Sequence, residues 1–130
     1  MFAKFVYWTG ALDFLVGAGT MGAALYNAFN APVPGQFTAL MTLGMFLWLA
    51  AALLMWASRD VAARAPVIVW QGIVRLTACI SILYAVPNGL AQSPYEYAVV
   101  PFDGTIGLVY IVGTLRITGR SFASVLAFKE

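Results

Sequence analysis

Apolar residues fall in four runs, about residues 7–26, 37–56, 67–86 and 98–117, followed by a tail, 118–130. Each run is close to the ~20 residues that a helix needs to cross a bilayer. Between the runs lie short connections rich in helix-stopping residues. Pro32, Pro34 and Gly35 end the first run, and Pro87, Asn88 and Gly89 end the third. Proline lacks the N–H that a helix interior requires, so these stretches force turns. Pro66 suits the first turn of the third helix, where a missing N–H costs nothing. The second run contains no ionisable residue and is expected to contact lipid extensively. The pattern predicts an all-α fold, a bundle of four transmembrane helices in a single integral membrane domain. In the tail, Phe122, Val125, Leu126 and Phe128 recur at helical spacing. That segment is expected to lie along the membrane surface, to dock on the bundle, or to fray.

The basic residues set an orientation. Lys4 precedes the first run, Arg59 and Arg64 separate the second from the third, and Arg120 and Lys129 follow the fourth. The other two connections, from Asn27 to Gln36 and from Pro87 to Tyr97, hold no Lys or Arg. Cationic loops resist translocation, so both termini and the middle connection are expected in the cytoplasm. Tyr7, Trp8 and Tyr26 stand at the ends of the first run, as amphipathic rings at a membrane interface do. Lys4 followed by an apolar stretch resembles a signal peptide, but the run is as long as a full span, and the first helix is expected to be retained.

Composition supports a lipid solvent. Of 130 residues, 62% are hydrophobic and only 9% charged, against about 25% in a soluble domain. The net charge of +2 comes without a clustered basic patch, which argues against a nucleic-acid partner. The lone cysteine, Cys79, cannot form an internal disulfide, and the chain has no histidine. Histidine-bound haem, ordinary zinc catalysis and Ser–His or Cys–His machinery are therefore excluded, and the reading is of a non-enzymatic protein without cofactor or metal.

Two ionisable residues lie deep in the apolar runs. Asp13 and Arg75 stand about six and eight residues from the cytoplasmic ends of their runs, so both should sit at similar depth, ~9–12 Å. An unpaired charge there costs at least ~2.5–3.5 kcal/mol. This predicts an intramembrane Asp13–Arg75 pair turned away from lipid, either a structural lock or a proton or substrate site. Asp103 follows Pro101 near the outer side of the fourth run; it is read as an outward-facing binding carboxylate or as an acid favoured by a helix N-terminus. The long Arg75 side chain could reach toward it. Gly10, Gly17, Ala18, Gly19, Gly22 and Ala23 give the first helix small residues at the spacing that lets helices approach closely, within the chain or against a second copy.

Gly44 to Tyr84 carries Arg59-Asp60 in a short basic loop, then Val69-Trp70-Gln71-Gly72 and Arg75 at the entry to the third helix. This stretch, about a third of the chain, resembles small bacterial four-helix membrane proteins of the DoxX-like group. The resemblance implies a four-helix bundle in the bacterial inner membrane and no established activity; some relatives are linked to quinone-coupled sulfur oxidation. The first expectation is an accessory, assembly or stabilising subunit of a larger membrane complex or homo-oligomer. The alternatives are a small ion-coupled transporter using Asp13 and Arg75, and a quinone-interacting subunit of a redox complex with aromatic pocket walls.

Overall fold

A computed structural model describes residues 1–90 and 94–128. Lys129, one of the residues used to orient the chain, lies outside them. Every element among the described residues is helical: α1 (Phe2–Asn30), α2 (Gln36–Ala57), α3 (Ala65–Ala85), α4 (Val99–Thr118) and the short α5 (Phe122–Leu126). A 3₁₀ segment, Pro94–Ala98, leads into α4. Among the described residues, three segments are long and apolar enough to cross a membrane: Gln36–Ala57, Ala65–Ala85 and Glu96–Thr118. Helix α1 has 29 residues, about 43 Å of helix. Its apolar stretch is diluted by Thr9, Asp13, Thr20 and several glycines, so it falls outside those three.

Helix α1 also outruns the predicted span at both ends. No proline or glycine interrupts Asn27–Asn30, and Asn30 Nδ2 donates to the Tyr26 carbonyl at 2.8 Å. Helix α2 then starts beyond Gly35, whose φ of 80° lies in the left-handed region that glycine enters without a Cβ penalty. Gly119, at φ 65°, closes α4 in the same way. Ser121 caps α5 through its Oγ, which accepts from the Ser124 N–H at 3.2 Å.

The chain forms two compact units, Met1–Arg59 and Asp60–Glu130. In the first, α1 and α2 pack antiparallel, because Gly10 meets Ala51 and Leu54 while Gly17 meets Gly44 and Trp48. A Cβ on Gly17 would stand 2.9 Å from the Gly44 carbonyl oxygen and 2.7 Å from the Trp48 ring. Trp48 reinforces the contact: its Nε1 donates to the Phe14 carbonyl at 3.0 Å, and its ring stacks on Phe14 at 4.7 Å with the planes 3° apart. In the second unit α3 and α4 form the antiparallel pair. Helix α5 docks on it, with Val125 fully buried beside Ala65 and Val69. Phe122 and Phe128 stay exposed, so the tail splits its apolar residues between docking and surface.

Candidate functional site

Arg75 occupies the midpoint of α3 and is only 9% exposed. Gly72, one turn earlier, brings α3 against α4. A Cβ there would lie 2.8 Å from the Gly107 carbonyl oxygen, and one on Gly107 would lie 2.9 Å from that of Gly72. Positions three and four apart share a helix face, so this contact aims Arg75 into the same seam. There the Arg75 Nη1 donates to Asp103 Oδ1 in a salt bridge. The guanidinium also lies 5.8 Å from the centre of the Tyr110 ring, which is fully buried. That distance falls within the range where a cation is attracted to a ring face. One turn further along α3, Cys79 Sγ approaches the Val100 carbonyl at 3.5 Å, opposite Gly104.

Asp103 lies well inside the apolar fourth segment. The 3₁₀ segment prolongs this segment beyond α4, so the stretch long and apolar enough to cross a membrane runs from Glu96 to Thr118. Asp103 is then seven residues inside the Glu96 end of that stretch, and about four residues, ~6 Å, from its middle. An arginine side chain covers that offset. Asp103 is accordingly a direct partner of Arg75 within the α3–α4 hairpin. Gly72, Gly107 and Tyr110 join the site beside the residues expected there. Their signal was the regular spacing Gly72–Arg75–Cys79 opposite Val100–Asp103–Gly107–Tyr110.

Asp13 belongs to the first unit. It is 8% exposed and shares the buried face of α1 with Val6, Thr9, Gly10, Gly17 and Ala24. Thr9 satisfies its hydroxyl within α1, donating to the Phe5 carbonyl at 2.8 Å. The small residues of α1 divide. Gly10 and Gly17 face α2, whereas Ala18, Gly19, Gly22 and Ala23 are exposed, with open space around Gly19 and Gly22.

Chemically, a guanidinium held by a carboxylate fixes charge and shape. It offers neither a nucleophile nor a readily released proton, because arginine stays protonated. Among the described residues no three His, Cys, Asp or Glu side chains are grouped so as to hold a metal ion. No protein-family model, curated protein or solved structure matches the chain.

Proposed function

We propose that the chain is a four-span membrane protein with α1 as its fourth crossing and both termini cytoplasmic. In this reading it serves as a non-enzymatic accessory or assembly subunit, in a homo-oligomer or a larger membrane complex. The observation that carries it is the outward stripe Ala18, Gly19, Gly22 and Ala23 on α1, where added side chains at Gly19 and Gly22 would meet nothing. Membrane helices associate through such small surfaces because lipid provides no hydrophobic drive between them. The likeness of Gly44 to Tyr84 to DoxX-like bacterial membrane proteins agrees with this reading.

The test is the mass of the purified chain in mild detergent. Wild type should run as an oligomer or with a stoichiometric partner, and Gly19→Leu/Gly22→Leu should release the monomer. A wild-type monomer with no companion would reject the reading. Orientation is checked separately, with Cys79→Ser as background. Asn88→Cys should react with an impermeant thiol reagent from outside the cell, and Ser58→Cys only after the membrane is opened.

An ion-coupled carrier is the second reading, favoured by the burial of Asp13 in the apolar interior. In this reading Asp13 changes protonation and Arg75 orients or releases an anionic substrate. Proton uptake into proteoliposomes that Asp13→Asn abolishes would support the carrier. Recovery of expression by the charge-swapped pair Asp13→Arg/Arg75→Asp would instead mark those residues as a structural lock.

A further inference from the structure

At the end of the first unit where α1 begins and α2 stops, a cleft of about 470 Å³ is lined by Ala3, Lys4, Tyr7, Trp8, Ser58 and Arg59. Its volume falls in the usual ligand-site range of ~300–1,000 Å³. Two cations reach it, Lys4 from α1 and Arg59 from just beyond the end of α2, and no carboxylate lines it. Lys4 and Arg59 are both exposed, and neither forms an ion pair among the described residues. Asp60, next in sequence, already accepts from the Ala63 N–H. The first turn of α1 adds its free backbone N–H groups, and no acidic residue in that turn competes for them.

The aromatic pair says which anion fits. Tyr7 and Trp8 meet edge to face at 5.6 Å, are both exposed, and line the cleft together with the two cations. From Trp8 an exposed apolar stripe continues along α1 through Leu12 and Leu15, at the spacing of one helix face. A free inorganic anion would have no use for that stripe, whereas acyl chains would lie along it.

We propose that this cleft binds the headgroup phosphate of one anionic phospholipid. Lys4 and Arg59 clamp the phosphate, the Ser58 hydroxyl oxygen accepts from a headgroup hydroxyl, and an acyl chain runs over Trp8, Leu12 and Leu15. The Ser58 proton is already committed to the Met55 carbonyl at 2.7 Å, which leaves its oxygen as the acceptor. The inference stands on the first unit alone and does not depend on orientation or oligomeric state.

Native mass spectrometry of the full chain in mild detergent, titrated with phosphatidylglycerol or phosphatidylcholine, tests it. One phosphatidylglycerol should be retained about tenfold more tightly than phosphatidylcholine. Lys4→Gln/Arg59→Gln should erase that preference, while Arg120→Gln, which removes a cation outside the cleft, should keep it. Both substituted side chains are exposed, so folding should survive, and Lys4→Arg should retain binding. Equal affinity for the two lipids, or an equal loss in Arg120→Gln, would overturn the proposal. Displacement of the lipid by millimolar inorganic phosphate would overturn it in favour of a free-anion site.

Discussion

The two helical hairpins use one device to bring backbones together and opposite means to hold them. In each, a pair of glycines meets across the seam, Gly17 with Gly44 and Gly72 with Gly107. The α1–α2 contact is then secured by a neutral lock, in which Trp48 stacks on Phe14 and hydrogen-bonds its carbonyl. The α3–α4 contact is secured by charge, Arg75 on Asp103 with Tyr110 beside the guanidinium. A neutral lock tolerates the loss of one partner. A buried ion pair does not, because the remaining charge is stranded in a medium that cannot solvate it.

The largest expected effect follows from that difference. Arg75→Leu should destabilise the protein by about 3–5 kcal/mol, through the Asp103 carboxylate left behind. Thermal unfolding in detergent would measure it, and a loss below that of any substitution at Trp48 would erase the contrast. Next come the glycines, which should behave alike in the two hairpins. Gly17→Val and Gly107→Val should each cost about 1–3 kcal/mol by overpacking, while Gly22→Val, with open space around it, should leave packing within the chain unchanged. Trp48→Phe keeps the stack and removes the hydrogen bond, so it should cost only about 0.5–1.5 kcal/mol. The smallest effect belongs to Thr114 in α4. Its Oγ1 is buried and has no hydrogen-bond partner among the described residues, so Thr114→Val should be neutral or stabilising by about 1 kcal/mol. A clear destabilisation there would reveal a partner for the hydroxyl.

Much of the helical content was legible because apolar run length and proline punctuation are local signals. The spans read at 37–56, 67–86 and 98–117 correspond to Gln36–Ala57, Ala65–Ala85 and Val99–Thr118 within two residues. The ends of α1 were less legible, since asparagine neither stops nor demands a helix. Asp103 was legible as a carboxylate within reach of the long Arg75 side chain, and the two are paired across the α3–α4 seam. The division of α1's small residues was also out of reach. Gly17 and Gly19 are two positions apart and chemically identical, and only the location of α2 buries one and exposes the other.

A double-mutant cycle on Arg75 and Asp103, read by thermal unfolding of the wild type, Arg75→Leu, Asp103→Leu and the double variant, tests the charged lock most directly. The account predicts a coupling of about 2 kcal/mol or more, the double variant losing far less than the sum of the single losses. Additive losses would contradict it, because two side chains that do not feel each other cannot be what holds α3 to α4.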